Sequence, residues 1–203
     1  LVSTVLQVVI GNEVFIIIMG SDDGLQEWEN PLTDEYKKLK DWVVNSNRMS
    51  WFYSRIMTGE IDSIEGKSIP FYGHTVVERP DIYKQKPCSE ITSSLFEQTY
   101  EVIQQIFDYN NNVLNVIFRI NFNCVTPHRI ERTGWHEDLK IPHKNFIVYL
   151  TKFTDGWTYL KNGDEIEKSE PKEDGIIIFE GEHCHAPPKK EDERRIVLVA
   201  CYL

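Results

Sequence analysis

Val113-Leu-Asn-Val-Ile-Phe-Arg-Ile-Asn-Phe-Asn123 is the stretch whose reading decides the fold. Leu114, Val116, Phe118, Ile120 and Phe122 fall on one face, and Val113, Asn115, Ile117, Arg119, Asn121 and Asn123 on the other. Period two with one apolar face is the signature of a strand laid on a core. The polar face predicts solvated positions at Asn115 and Asn121, and leaves Arg119 either on that face or as a cation directed at a substrate.

The texture on either side differs. Upstream, Tyr36, Leu39, Trp42 and Val43 recur at helical spacing within Asp34–Asn45. Ser94-Leu-Phe-Glu97 has the form of a capping box. After it, Phe96, Tyr100, Ile103 and Phe107 predict a second helix to about Tyr109. Leu6–Ile10 and Val14–Met19 read as two strands around Gly11-Asn12. Downstream, short runs at Asn145–Leu150, Trp157–Leu160, Gly175–Phe179 and Ile196–Leu203 alternate with turn signals at Asp155-Gly156 and Asn162-Gly163. Helices first and many short strands later predict a mainly β protein, a jelly-roll core with flanking helices. We expect one domain over 1–203, with 1–112 packing on the core 113–203.

The whole chain has 203 residues, 41% of them hydrophobic, which suits a packed core. Its 22 basic against 32 acidic residues give a net charge of −10. Phosphate binding draws on clustered Lys and Arg, so nucleic acid is disfavoured as a partner. No run approaches the ~20 apolar residues of a membrane span. Leu1–Gly20 lacks the Lys or Arg of a signal-peptide n-region, so a cytoplasmic protein is expected. Four cysteines without a Cys-x-x-Cys pair predict reduced, mostly buried thiols.

The chemistry concentrates late in the chain. In Gly134-Trp-His-Glu-Asp138, His136 and Asp138 are two residues apart, so on a strand both side chains leave from one face. Phe179-Glu-Gly-Glu-His-Cys-His-Ala-Pro-Pro188 follows, with His183 and His185. Two imidazoles and one carboxylate occupying one face of an octahedral ion leave three positions for other ligands. Strand periodicity does not choose between His183 and His185, and it turns Cys184 away. Arg194-Arg195 opens the apolar run Ile196–Tyr202, so one of the two arginines enters the core and wants an anionic partner.

Taken together, these motifs resemble the Fe(II)- and 2-oxoglutarate-dependent dioxygenases, in particular small phage and bacterial members related to prolyl 4-hydroxylases. Gly134–Asp138, Asn145–Leu150, Thr154–Thr158, Asp174–Glu180 and His183–Pro188 with Arg194–Leu198 carry the likeness. The resemblance implies a double-stranded β-helix, cupin-like core. It implies iron held by His136, Asp138 and a distal histidine. His185 is preferred there, because it stands ten residues before Arg195 and is followed by Ala186 and prolines. Arg195, rather than Arg194, then pairs with the far carboxylate of 2-oxoglutarate. Tyr149 reaches the same carboxylate, and Asn123 lies near the cosubstrate. Val125 stands where many relatives carry a tyrosine.

The implied reaction hydroxylates a peptide or small molecule and yields succinate and carbon dioxide, with ascorbate as a reductant. Oxidative demethylation of nucleic acid and a non-catalytic jelly roll binding a metal or small acid are the alternatives. Substrate and oligomeric state are not encoded in any motif. Ile61–Pro80 and Thr126–Thr133 are expected as pocket loops, with Tyr72, Arg79 and Trp135 as lining residues.

Overall fold

The computed structural model describes the backbone of residues 4–10 and 13–19, and residues 24–55, 69–81 and 86–203 in full. Two short strands, β1 (Thr4–Ile10) and β2 (Glu13–Met19), pair antiparallel as expected, while the Gly11-Asn12 turn between them lies outside the described residues.

The remaining elements follow in chain order as β3 (Gln26–Trp28), α1 (Asp34–Asn45), β4 (Phe52–Ser54), β5 (Phe71–Glu78), β6 (Glu90–Ile91) and α2 (Phe96–Tyr109). Then come β7 (Ile117–Val125), β8 (Lys144–Tyr149), β9 (Thr158–Asn162), β10 (Glu165–Ser169), β11 (Ile176–Phe179), β12 (His183–His185) and β13 (Arg195–Tyr202). An eight-stranded sheet runs β3-β11-β8-β13-β7-β5-β4, with β6 on β5, and a second sheet runs β10-β9-β12. These two sheets and the helices on one side make the mainly β, jelly-roll-type architecture.

β13 lies between β7 and β8 in the large sheet, and all eight of its residues are buried. Its alternation divides the interior. Ile196, Leu198, Ala200 and Tyr202 face the helices, packing with Val102, Ile103, Ile106 and Phe107 of α2 and Tyr36, Leu39 and Val43 of α1. Val197 and Val199 face the other way, toward Tyr149, Phe153, Leu160, Ile177 and Phe179 in the space between the two sheets. Each fully buried Leu, Ile or Val contributes about 1.5–3 kcal/mol. The helix-side core therefore holds the large sheet rigid while its opposite face is free to carry polar groups.

Several expectations are corrected. The strand begins at Ile117 rather than Val113, because Asn115 and Val116 turn their N–H groups to the carbonyl of Leu203. Asn115 is exposed as expected, but Asn121 is only 7% exposed, its amide turned to Arg119 and to the Ile120 carbonyl. Helix α2 lacks the capping box. Its N-cap is Leu95, with no side-chain cap, and the Ser93 hydroxyl accepts the Leu95 N–H while pairing with His74. Helix α1 has the predicted bounds and is capped by the Thr33 hydroxyl, which accepts from the Tyr36 N–H. Within the expected loop Ile61–Pro80, residues 71–78 form β5 instead, held by pairing on both sides. Residues 61–68 lie outside the described ones. All four thiols are free, and only Cys88 is exposed. Among the described residues, no helix is long and apolar enough to cross a membrane.

Candidate metal centre

His136 and His183 stand directly opposite each other and exchange both backbone hydrogen bonds, each 2.9 Å. This pairing puts their rings on one side with centroids 4.4 Å apart. His185, two residues along β12, points the same way, its ring 5.0 Å from that of His183 and 5.6 Å from that of His136. One ring nitrogen from each of the three lies within 4.8 Å of the others. Asp138 shares the face of His136, and its Oδ2 lies 3.7 Å from Nε2 of His183. Cys184 faces away, opposite Tyr159, and burial pushes its thiol up to about 11.

Hydrogen-bond partners fix which nitrogen of each ring carries the proton. Nδ1 of His136 meets the Gly134 carbonyl at 3.0 Å, and Nδ1 of His183 meets the Gly181 carbonyl at 3.1 Å. A carbonyl only accepts, so both Nδ1 atoms are protonated and both Nε2 atoms carry lone pairs. That is the tautomer a metal ligand needs, with the far nitrogen tied to a backbone acceptor. Nε2 of His183 is buried and without a hydrogen-bond partner among the described residues.

His185 has the opposite arrangement. Its Nδ1 meets the Thr158 hydroxyl at 3.2 Å and Nη2 of Arg195 at 3.4 Å. A guanidinium only donates. Nδ1 of His185 thus faces a cationic donor, where the other two rings face backbone carbonyls. Burial, reinforced by Arg195, keeps His185 well below the ordinary histidine value, and burial likewise lowers His183 to about 4. Both rings are neutral at pH 7.

Arg119 is drawn into the site. It neither faces solvent nor stands free for a substrate: its Nη1 donates to Oδ1 of Asp138 at 2.6 Å. Asn121, oriented to satisfy both its amide groups, accepts from Nη2 of Arg119 at 3.0 Å. Arg79 donates to the backbone carbonyl of Asp138 at 2.7 Å. Burial alone would raise the Asp138 carboxyl, but Arg119, with His183 and His136, holds it well below the usual carboxylate range. One carboxylate oxygen is thus occupied, and the other turns toward His183.

A second polar cluster lies on the far side of His185. Arg195 is 2% exposed, yet its Nε donates to the Gly156 carbonyl at 3.2 Å and its Nη2 to the Thr158 hydroxyl at 3.3 Å, both neutral groups. Tyr149 shares that hydroxyl at 3.1 Å and lies beneath the guanidinium, 5.8 Å from ring centroid to Cζ. Among the described residues Arg195 has no carboxylate partner, and burial pulls it below the ordinary guanidinium value. Arg194 is exposed and offers its carbonyl to Thr151. Asn123 lies on the same sheet face as Tyr149, since both pair with Val197, and its Oδ1 is buried without a partner. Val125 pairs with Arg195.

The sequence reading missed Thr158 and Gly156. Thr158 follows the predicted turn and is two residues from inward-facing Leu160, which was the available signal. At Gly156 φ is +67°, and an added Cβ would meet the Phe153 ring at 2.6 Å, so this carbonyl can reach Arg195 only from a glycine. The expected lining residues separate: Tyr72 is partly exposed beside Tyr53, whereas Trp135 packs under Arg132 and Lys161 on the side away from His136.

No protein-family profile and no curated protein matches the sequence. Solved structures do. An oxidoreductase of the 2OG-Fe(II) oxygenase family from Burkholderia pseudomallei is similar with a TM-score of 0.59 at 13% identity, over 76% of this chain and 73% of that one. A prolyl-4-hydroxylase from Pseudomonas putida is similar at 0.53 and 13%, over 90% and 93%. A Trichoplax adhaerens prolyl hydroxylase, in complex with a peptide fragment of hypoxia inducible factor, is similar at 0.56 and 11%, over 90% and 84%. The chain shares the fold of these oxygenases.

Proposed function

We propose that this protein is an Fe(II)- and 2-oxoglutarate-dependent dioxygenase that hydroxylates a peptide or small molecule. The observation that carries the reading is the convergence of two complementary donor sets between the two sheets. Two imidazole nitrogens and the carboxylate oxygen of Asp138 not engaged by Arg119 come together, and the buried guanidinium of Arg195 nearby is hydrogen-bonded to neutral groups. A divalent ion satisfies the first set and the far carboxylate of a dicarboxylic 2-oxo acid the second.

The donor set fits iron. His136, Asp138 and His183 supply two nitrogens and one oxygen from one side, the arrangement that leaves three positions open. We take His183 as the distal ligand in place of His185, because its unpartnered Nε2 lies 3.7 Å from Oδ2 of Asp138, whereas Nδ1 of His185 is engaged by Arg195. Arg195 holds the cosubstrate's far carboxylate, with Tyr149 and Thr158 completing its hydrogen bonds and Asn123 beside them. When bound, iron supplies the oxygen-activating chemistry that consumes 2-oxoglutarate and releases succinate and carbon dioxide. The chain's own part is to hold the donors deprotonated, to orient the cosubstrate and to keep the pocket dry. The peptide in the Trichoplax structure supports a peptide as one substrate class.

The test is anaerobic addition of Fe(II) and 2-oxoglutarate, which should give a visible charge-transfer band, followed by succinate release in air. His136→Ala and His183→Ala should abolish the band. A wild-type protein without a band is not an oxygenase. A band without succinate, with or without candidate substrates, indicates a binding domain, and stimulation by methylated oligonucleotide would redirect the substrate class.

A further inference from the structure

Tyr149 lies beneath the guanidinium of Arg195 and shares its Thr158 partner, so the position of its backbone decides where that contact falls. It is also the last residue of β8, where a ladder would fray. The turn before β11 carries the pairing one residue further. The Asp174 N–H donates to the Tyr149 carbonyl at 2.8 Å, and the Gly175 carbonyl accepts the Tyr149 N–H at 3.0 Å. Gly175 closes that turn on the Lys172 carbonyl at 2.8 Å, which puts Asp174 at its third position with a φ of +65°. Glycine and asparagine are the usual occupants of such a position, because a Cβ is crowded there. Here the carboxylate offsets the strain. Tyr36 and Lys40, one helical turn apart on α1, both donate to its Oδ1 at 2.6 Å, and Asn30 donates to the Asp174 carbonyl at 3.0 Å. Tyr36 belongs to the core on the helix side of the large sheet and Tyr149 to the core between the sheets. One residue therefore joins a helix on one side of the sheet to a side chain that faces the other.

We propose that Asp174 is a positioning residue for the cosubstrate: its carboxylate, gripped by Tyr36 and Lys40, fixes the turn that keeps the Tyr149 hydroxyl on the partner it shares with Arg195. Asp174 acts through Tyr149 and lies outside the pocket itself. Its carboxylate and its backbone N–H have separate tasks, so the charge can be removed without altering the turn, since asparagine accepts the same positive φ. The inference rests on the oxygenase reading, since it assigns a residue to the anchor of that cosubstrate.

The experiment compares wild type, Asp174→Asn, Tyr149→Phe and the double variant, with Glu173→Gln removing the other acid that Lys40 meets. Co(II) affinity is measured by titration, and 2-oxoglutarate affinity anaerobically from the iron charge-transfer band. Asp174→Asn should bind Co(II) within twofold of wild type and 2-oxoglutarate about fivefold more weakly, the scale of coupling through packed neighbours. Glu173→Gln should match wild type in both. In the Tyr149→Phe background, Asp174→Asn should weaken 2-oxoglutarate by less than about twofold more, because the route it uses is already cut. Unchanged 2-oxoglutarate affinity in Asp174→Asn, an equal loss of Co(II) binding, a like loss in Glu173→Gln, or a full fivefold effect in the double variant would each overturn the proposal. Should Asp174→Asn fail to fold, Lys40→Met removes one donor from the same oxygen and should weaken 2-oxoglutarate but not Co(II); unchanged 2-oxoglutarate affinity there overturns the proposal equally. A wild type that lacks the band overturns the oxygenase reading, and this proposal with it; a wild-type band with unaltered variants overturns the proposal alone.

Discussion

Replacing Arg119 with Met isolates the ion pair that holds Asp138. The two side chains are 15% and 13% exposed and lie 2.6 Å apart, close to a fully desolvated contact. Opposite charges about 4 Å apart attract by about 4 kcal/mol at an effective dielectric of 20. Breaking such a buried pair from one side costs about 3–5 kcal/mol, because the remaining charge stays behind. The residual solvent access reduces this, so Arg119→Met should cost about 2–3 kcal/mol in the metal-free protein. Asp138→Asn should cost a similar amount by stranding Arg119. The double variant should then cost about 2 kcal/mol less than the sum of the two. Urea unfolding at pH 7 with a chelator present, followed by tryptophan fluorescence, measures all four corners. A coupling below about 0.5 kcal/mol, the level of an exposed pair, would refute the claim that this carboxylate is held by Arg119.

Three further outcomes follow from the same geometry. Because His183 titrates at about 4 in the folded protein and about 6.5 when unfolded, the unfolded chain takes up the proton first. Metal-free stability should fall as pH drops below about 6.5, by about 2 kcal/mol at pH 5 from His183 and further from His185, which also lies well below the ordinary value, with a shallower slope in His183→Leu; the lowered Asp138 contributes nothing to this slope, since its stabilisation persists down to about pH 4. Gly156→Ala should lower stability by about 2 kcal/mol in the same unfolding assay, from the positive φ and the crowded Phe153 ring. Cys184→Ser should leave Co(II) and 2-oxoglutarate binding within twofold of wild type, because the side chain faces away from the histidines, and should cost only about 1–2 kcal/mol for a hydroxyl in an apolar site.

What the chain reveals before folding is limited to what period and local spacing encode. The alternation of Ile120 and Phe122 against Asn121 and Asn123 specified a strand and its two faces. It could not say that Asn121 is interior, because the groups around it come from elsewhere in the chain: Arg119 turns to Asp138, and Val199, opposite Asn121, belongs to an apolar cluster that includes Leu160. The same distance concealed the partner of Arg119. His136 and Asp138 at i and i+2, and the arginine before an apolar strand, stood out as a pattern, and the structure places Asp138 beside His183 and Arg195 beside His185. Periodicity could not separate His183 from His185, since both leave one face of β12; the structure gives them different neighbours, a backbone carbonyl behind one ring and a guanidinium beside the other. The Ser94 capping motif failed because a neighbouring hydroxyl, on Ser93, was better placed.

β13 enters the pocket at Arg195 and leaves it at Cys201, between two neighbours that both count its residues in register. Slipping the pairing by a single residue would drive the guanidinium among the leucines and phenylalanines under the helices, and would put Ile196 where a cation is wanted. Such a mispaired chain strands a charge in oil, an error far costlier than mismatched methyl groups. The arginine therefore penalises a slipped alignment of this strand, whatever it binds.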